Sequence, residues 1–208
     1  MELKAKLLRI VLWIVGIVVG LTAVALIAFN FYMGSSKPII EGELTVSVLD
    51  ENVTVIRDEM GVPHIEAQSD ADLYRAQGYV QAQDRLFQMD LARRQASGRL
   101  AEIIGEGAVE NDKFFRTFSL RDAAEKSYAG YSDEAKQVLK WYTEGVNEFI
   151  DYAIEEGKLS YEFKLLGYEP REWSPIDSLA VGKFMAYDLG GNWSSLALRH
   201  WAINEFEQ

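Results

Sequence analysis

An uncharged apolar run of twenty residues, from Ile10 to Phe29, constrains this chain more than any other feature of its sequence. A helix of that length crosses a hydrocarbon core about 30 Å thick. Basic residues at positions 4, 6 and 9 precede the run, which places the N-terminus in the cytoplasm. We therefore predict a cytoplasmic N-terminus (1–9), a single-pass signal anchor in the cell membrane (10–33), a linker (34–43) and a region outside the cytoplasm (44–208).

A cleaved signal peptide is the alternative interpretation, in which the protein is secreted rather than anchored. Such a peptide has an apolar region of roughly 7–15 residues, followed by a cleavage site with small residues. Here the run is longer, and the following "NFYMGSSKP" contains no A-x-A pattern. The sequence therefore favours the uncleaved anchor.

The region after the anchor is strongly acidic. Residues 41–208 contain 17 basic and 31 acidic side chains, a net charge of −14. This charge argues against a nucleic-acid partner and against further attachment to anionic lipid, and it keeps an exported domain soluble. The chain has no cysteine, which excludes a disulfide framework, a redox pair and a thiol nucleophile.

Short strands are predicted directly after the linker. Apolar residues alternate from Leu44 to Val48, at Val53 and Val55, and again over 62–65. This period of two indicates two or three strands, with at least one hairpin.

Four helices follow, each with a start or stop signal. Ser69 and Asp72 form a capping-box pattern, with Leu73, Ala76, Val80, Phe87 and Leu91 on one apolar face. Gly98 interrupts this helix, and a short helix ends at Gly105. Another begins at Ser132 and stops near Gly157. The "WSPID" motif caps a helix over Ser174, Pro175 and Asp177 that ends at Gly190. The last residues also look helical, and we expect more chain to follow Gln208. These patterns predict an α+β fold of short N-terminal strands and a mainly helical remainder.

Polar residues border the apolar face of the first of these helices. Buried polar groups without partners cost about 1–3 kcal/mol each, so these side chains need bonds within the fold. One interpretation is a structural polar network, and the other is a catalytic or ligand-binding group among its members. The residues are Gln83, Asp84, Arg85, Asp90, Arg93, Arg94 and Arg99.

Local motifs indicate no catalytic centre in this chain. His64 and His200 are the only histidines, and each is interpreted as structural rather than as a metal ligand. The chain lacks a phosphate-binding loop and a G-x-S-x-G nucleophile elbow. We therefore predict no catalytic residue and no metal ligand.

Five longer motifs occur in order along the chain. They are "VIRDEMGVPHIEA" (55–67), "AQGYVQAQDRLFQMDLARRQASGRLAEIIG" (76–105), "EGVNEFI" (144–150), "FKLLGYEPREWSPIDSL" (163–179) and "KFMAYDLGGNW" (183–193). Together they resemble the penicillin acylase family of N-terminal-nucleophile hydrolases.

The resemblance implies an α-subunit region of a larger precursor with the αββα fold of these hydrolases. The β-subunit of the same precursor would be its partner and would begin with a serine. The hydroxyl of that serine attacks the amide carbonyl, and its freed α-amino group acts as the base. The implied substrate is an acyl amide, such as a penicillin-type side chain or an N-acyl homoserine lactone. A truncated, catalytically inactive binding or structural module remains the alternative.

The resemblance also implies that the helix before "GGNW" forms one wall of the acyl pocket. The candidate substrate-binding residues are Met185, Asp188 and Leu189, with Phe184 and Tyr187 as neighbours. An ordinary core role is the competing interpretation for Phe184 and Met185. Family members often bind calcium through a glutamate near this point, but Leu196 stands there and carries no oxygen ligand. No cofactor is therefore predicted.

Overall fold

The computed structural model describes residues 2–34 and 37–206, so Ser35 and Ser36 of the predicted linker and the terminal Gln208 lie outside the described residues. The elements are α1 (Glu2–Gly34), β1 (Thr54–Arg57), β2 (Pro63–Glu66), α2 (Asp70–Ala96), α3 (Ala101–Ile104), a 3-10 turn (Glu106–Ala108), α4 (Val109–Phe118), α5 (Leu120–Ala129), α6 (Asp133–Glu155), α7 (Tyr161–Leu166), α8 (Pro175–Leu189) and α9 (Trp193–Phe206). The predicted order of short strands followed by a mainly helical region is confirmed.

Helix α1 contains the apolar run. Its segment from Arg9 to Asn30 has 22 residues, a mean hydropathy of 2.9 and no residue buried against the rest of the chain. At about 1.5 Å per residue, such a segment is long enough to cross a bilayer. Length and composition suit a membrane span and a signal sequence alike.

Strands β1 and β2 form an antiparallel hairpin, with Val55 opposite Ile65. Gly61 has a φ of +78° in the connecting turn, a conformation that favours glycine. The Asp58 carboxylate closes this turn by accepting bonds from the amides of Met60 and Val62, both at 2.9 Å. The predicted hairpin is confirmed.

The alternating segment from Leu44 to Val48 is not a strand. Ser47 in this segment makes hydrogen bonds with a helix side chain rather than with another strand. The amide and hydroxyl of Ser47 donate to the two carboxylate oxygens of Glu148 in α6, at 2.8 and 2.9 Å. Val46 packs on the main core. This segment ends in a turn closed by a bond from the amide of Leu49 to the carbonyl of Val46, so two of the two or three predicted strands form and the alternation here does not mark a third.

The hydroxyl of Ser69 caps α2 by accepting a bond from the amide of Asp72. The return bond of a capping box is absent, because the Asp72 carboxylate accepts the amides of Asp50 and Glu51 at 3.0 and 3.2 Å. This carboxylate attaches the preceding loop to the helix. The cap at Ser69 is confirmed, whereas the complete box predicted there is not formed.

The other helix signals act as predicted. Ser132 caps α6, and α8 begins with a full capping box between Ser174 and Asp177, with Pro175 at its first position. Gly98, between α2 and α3, has a φ of +60°. Because these signals act within a few residues, sequence alone suffices to place them.

The core lies between α2 and α6, which approach each other at two glycines. A Cβ atom on Gly78 would overlap the carbonyl oxygen of Tyr142, and one on Gly145 would overlap that of Arg75. Side chains around this contact form the main core, including the edge-to-face pair of Tyr79 and Phe149 with ring centroids 5.4 Å apart. Close backbone approach thus positions α2 and α6 for the other helices to pack on.

Helix α8 packs on α5 and α2. A second core cluster joins Ala96 of α2, Ala124 of α5 and Ala180 of α8, all fully buried. Small side chains at this point allow the three helices to come close together. The same contact places the end of α8, which carries the predicted acyl-pocket residues, on the outer side of the bundle.

Candidate functional site

Asp90 lies at the centre of a buried ionic network in α2. One carboxylate oxygen accepts Arg93 Nε, and the other accepts Arg94 Nε, both at 2.7 Å. The second oxygen also accepts the hydroxyl of Tyr168 at 2.8 Å. Asp90 and Arg93 are both fully buried. Arg93 Nη2 also lies 2.6 Å from the first oxygen, so protein donors surround the carboxylate, as is typical of a structural ion pair.

The network reaches outward through the two arginines. Arg93 donates to the carbonyl oxygens of Arg171 and Glu172, at 2.7 and 2.9 Å. Arg94 Nη1 donates to Glu102 at 2.7 Å, and Glu102 accepts Arg99 Nε at the same distance. Of the predicted polar residues, the structure therefore brings together Asp90, Arg93, Arg94 and Arg99.

The polar residues Gln83, Asp84 and Arg85 lie elsewhere. Arg57 of β1 holds Asp84 through two bonds of 2.8 and 2.9 Å and reaches Gln83 at 3.2 Å. Arg85 has non-helical backbone angles that kink α2, and its side chain is exposed. Gln83 and Asp84 therefore join α2 to β1, and Arg85 belongs to neither cluster.

Asp177 is a second buried carboxylate, at the start of α8. One oxygen accepts Arg121 Nη1 at 2.8 Å and Arg171 Nη2 at 2.9 Å. The other accepts the amide and hydroxyl of Ser174, at 2.9 and 2.8 Å. Arg93 Nη1 lies 3.7 Å from this second oxygen. Asp177 therefore links α8 to both α5 and α2.

The pKa values of both carboxyls are lowered. Burial alone would raise the pKa of Asp90, but Arg93, Arg94 and the Tyr168 hydroxyl outweigh it. For Asp177, burial is outweighed by the hydrogen bond from Arg121, the charge of Arg171 and the bonds from Ser174. Both groups are ionised at neutral pH. Burial and the carboxylate of Asp90 raise the pKa of Tyr168, which keeps its hydroxyl a donor.

We expect these carboxylates to make the fold acid-sensitive. Their pKa values are lower in the folded chain than the value of about 3.9 in the unfolded chain, so their stabilisation is complete above that pH. This stabilisation decreases as the pH falls below about 4, and it is gone once the pH lies below the lowered pKa values of the folded chain. Between pH 5 and pH 3, the free energy of unfolding measured with denaturant should fall less for Asp177→Asn than for the wild type. Equal losses would contradict this assignment.

Four of the five predicted acyl-pocket residues divide between two faces of α8. Met185 lines a groove of about 340 Å³ between α2, α6 and α8, and its side chain is 54% exposed. Leu189 is 82% exposed and lies four residues further, on the same helical face. Other groove residues are Tyr74 and Gln77 of α2, Val138 and Tyr142 of α6, and Val181 and Gly182 of α8.

Phe184 and Tyr187 lie on the other face and pack on α4. Phe184 contacts Phe115 with ring centroids 5.6 Å apart, and Tyr187 contacts Phe118 at 4.9 Å. Phe114 stacks on Phe118 at 5.8 Å and is half exposed. The three phenylalanines of α4 were not predicted as site residues, although the "FFRTF" run over 114–118 concentrates aromatic side chains there. Asp188 is exposed at the end of the helix.

Each of the two histidines lies close to a polar side chain of its own element or turn. His64 Nε2 lies 3.2 Å from Asp58, and His200 Nε2 lies 3.1 Å from the amide of Asn204. Within residues 2–34 and 37–206, no three His, Cys, Asp or Glu side chains group as metal ligands would. Leu196 is exposed on α9. The exposed apolar surface along α8 is that of Met185 and Leu189.

The sequence and fold agree with one family of hydrolases. The penicillin amidase family matches residues 52–208. The chain belongs to this family.

Individual relatives support the same assignment. Penicillin acylase 2 proenzyme of Pseudomonas sp. (strain SE83) is 41% identical over 162 residues, which cover 78% of this chain and 20% of that protein. The acyl-homoserine lactone acylase QuiP of Pseudomonas aeruginosa is 39% identical over 157 residues, 76% of this chain and 18% of that protein. The chain thus spans about a fifth of the length of these relatives.

A solved structure matches the fold as well. Penicillin G acylase from Alcaligenes faecalis superposes with a TM-score of 0.62 and 29% sequence identity. The match covers 74% of this chain and 84% of the solved chain. The mainly helical fold with its short hairpin is therefore that of a penicillin acylase chain.

Proposed function

We propose that this chain is the N-terminal, α-subunit-like part of an exported enzyme that hydrolyses an acyl amide. The observation that carries the proposal is its 41% and 39% identity to proteins named as a penicillin acylase proenzyme and an acyl-homoserine lactone acylase. The substrate would be a penicillin-type side chain or an N-acyl homoserine lactone, and the products would be a carboxylate and an amine.

The reaction would be carried out by a serine at the start of a β-subunit from the same precursor. Its hydroxyl oxygen bonds to the amide carbonyl carbon while its own α-amino group takes the proton. Hydrogen-bond donors in the β-subunit stabilise the tetrahedral oxyanion, which collapses as the amine takes a proton and leaves. Water then attacks the acyl ester, releases the carboxylate and restores the serine hydroxyl.

The α-subunit would contribute structure and one wall of the acyl pocket. Met185 and Leu189 supply exposed apolar surface on one face of α8, which an acyl chain can cover. The β1–β2 hairpin, which forms a two-stranded sheet in this chain, would join strands of the β-subunit in an αββα sandwich. The Asp90 and Asp177 networks would hold the helices around this surface.

The enzyme would remain attached to the cell membrane through α1, with residues 44–208 outside the cytoplasm. The segment from Arg9 to Asn30 supports this placement by its length and composition. Trypsin added to intact cells should then cut after exposed basic residues such as Lys126 in the last turn of α5. Protection of the whole region would contradict the topology, and release of the region into the medium would favour a cleaved signal.

Hydrolysis by the complete gene product tests the proposal. We expect the purified protein to release homoserine lactone from dodecanoyl homoserine lactone, or 6-aminopenicillanic acid from penicillin G, measured by chromatography. A protein that binds these compounds without releasing an amine would be the inactive binding module instead.

Truncation of Met185 tests the wall assigned to α8. We expect Met185→Ala to lower kcat/KM about tenfold, mainly through KM, because a pocket contact of this size contributes about 1–3 kcal/mol. Met60→Ala is the matched control, since Met60 is 87% exposed in the hairpin turn. Equal kinetics for the two variants would exclude Met185 from the acyl pocket.

A further inference from the structure

We propose that Asp177 and Arg121 form a positioning pair that sets the orientation of α8 and thereby the acyl-chain selectivity of the enzyme. This inference rests on the proposed function. Neither residue contacts the proposed acyl surface, because both lie near the opposite end of α8 from Met185 and Leu189. Their effect on substrate is transmitted through the helix itself.

The two oxygens of Asp177 have separate tasks. The oxygen that accepts Ser174 completes the capping box and is sufficient to start the helix. The other oxygen accepts Arg121 from α5 at 2.8 Å and Arg171 from the preceding turn at 2.9 Å, two bonds that capping does not require. Asp177 is fully buried whereas the Arg121 side chain is 29% exposed, so the bond to Arg121 joins a buried carboxylate to a cation at the edge of the fold. It therefore fixes how α8 is rotated and tilted against α5.

The turn before α8 is also held firmly. Arg93 binds the carbonyl oxygens of Arg171 and Glu172, and Asn147 exchanges two bonds with the backbone of Trp173, at 2.7 and 3.0 Å. The indole of Trp173 donates to Ser178 at 2.8 Å. The start of α8 is thus tied to α2, α5 and α6 by groups whose geometry is specific.

The other end of α8 is held much less. Met185, Asp188 and Leu189 are exposed, and packing on this half comes chiefly from Phe184 and Tyr187 against α4. Leu189 lies about 18 Å along the helix from Asp177, so a tilt of about 5° at the start would move it by about 1.5 Å. Displacements of about 1 Å are large enough to alter catalysis. Orientation at Asp177 therefore decides where the acyl surface lies.

Arg121→Gln removes the bond to α5 and keeps the capping box at the start of α8. The complete enzyme carrying this variant is assayed with hexanoyl homoserine lactone, dodecanoyl homoserine lactone and penicillin G. We expect KM for the preferred substrate to rise about fivefold, and the ratio of kcat/KM between the two homoserine lactones to change by about fivefold, with kcat within twofold. Asp177→Asn should change the ratio in the same direction, and Arg121→Lys should restore part of it.

Lys113→Gln is the matched control. It removes an ion pair of similar length, 2.6 Å to Glu110, whose two side chains are 66% and 85% exposed and belong to neither buried network. Its selectivity ratio should equal that of the wild type. A ratio unchanged in Arg121→Gln, with activity lowered equally on all substrates, would show a purely structural pair and overturn the inference. A wild-type enzyme inactive on every substrate would overturn the proposed function and this inference with it.

Discussion

Replacing Arg93 by methionine is expected to destabilise the fold by about 3–5 kcal/mol, because it removes one partner of a fully buried ion pair. The Asp90 carboxylate would keep Arg94 and Tyr168 but lose its closest cation. The carbonyl oxygens of Arg171 and Glu172 would lose their donor. For a region of this size, the melting temperature should fall by about 10 °C in differential scanning calorimetry.

Arg85→Met is the matched control for this result. Arg85 is an arginine of the same helix, but its side chain is exposed. Surface substitutions of this kind usually change stability by no more than about 0.5 kcal/mol. Similar melting temperatures for the two variants would contradict the structural role assigned to the buried network.

Gly145→Ala is expected to cost about 3 kcal/mol, because the added methyl group would overlap the Arg75 carbonyl oxygen and lie 2.9 Å from the amide nitrogen of Tyr79. Both obstacles are backbone atoms of α2, so relief requires the two helices to separate. That movement would loosen the core around Tyr79 and Phe149. Denaturant unfolding should show the loss as a lower midpoint.

Gly182→Ala is expected to stabilise the fold, in contrast to Gly145→Ala. Gly182 lies within α8, and a Cβ atom there meets nothing within 4 Å. Alanine in a helix interior is more stable than glycine by roughly 0.5–1 kcal/mol, so this variant should unfold at a higher denaturant concentration. A destabilised Gly182→Ala together with a neutral Gly145→Ala would refute the packing described for α2 and α6.

Features that depend on neighbouring residues could be predicted from the sequence. The box at Ser174 and Asp177, the break at Gly98 and the hairpin turn at Gly61 each depend on local backbone chemistry. The region over 109–129 received no prediction, although it forms α4 and α5. These two helices meet at Ser119, whose φ of +58° is unusual for a residue other than glycine and gives no sequence signal.

Features that depend on the tertiary fold could not be predicted. A projection of α2 as one regular helix placed Asp84 and Asp90 beside a common stripe, but α2 is kinked at Arg85 and Asp84 binds Arg57 of the hairpin. Alternation from Leu44 to Val48 suggested a strand. What holds this segment is instead the bond between Ser47 and Glu148, 101 residues later, and such a distant partner leaves no pattern in the local sequence.

The candidate site also combines local features, which the sequence predicted, with tertiary contacts, which it did not. Sequence motifs selected the end of α8, and the structure adds that Met185 and Leu189 share a face apart from Phe184 and Tyr187. The role of Arg121 required the fold, because 56 residues separate it from Asp177. Helical spacing can assign faces, whereas only packing determines what each face contacts.

The central claim is that this chain forms the scaffold and one wall of an acyl-amide hydrolase whose nucleophile lies in another part of the enzyme. Labelling with phenylmethylsulfonyl fluoride, which sulfonylates an activated serine, tests it most directly when the complete enzyme is digested and the adduct is located by mass spectrometry. We predict a single adduct on the N-terminal serine of a chain that begins after residue 208, with loss of hydrolysis in proportion to labelling. An adduct on a serine within residues 1–208 would contradict the account.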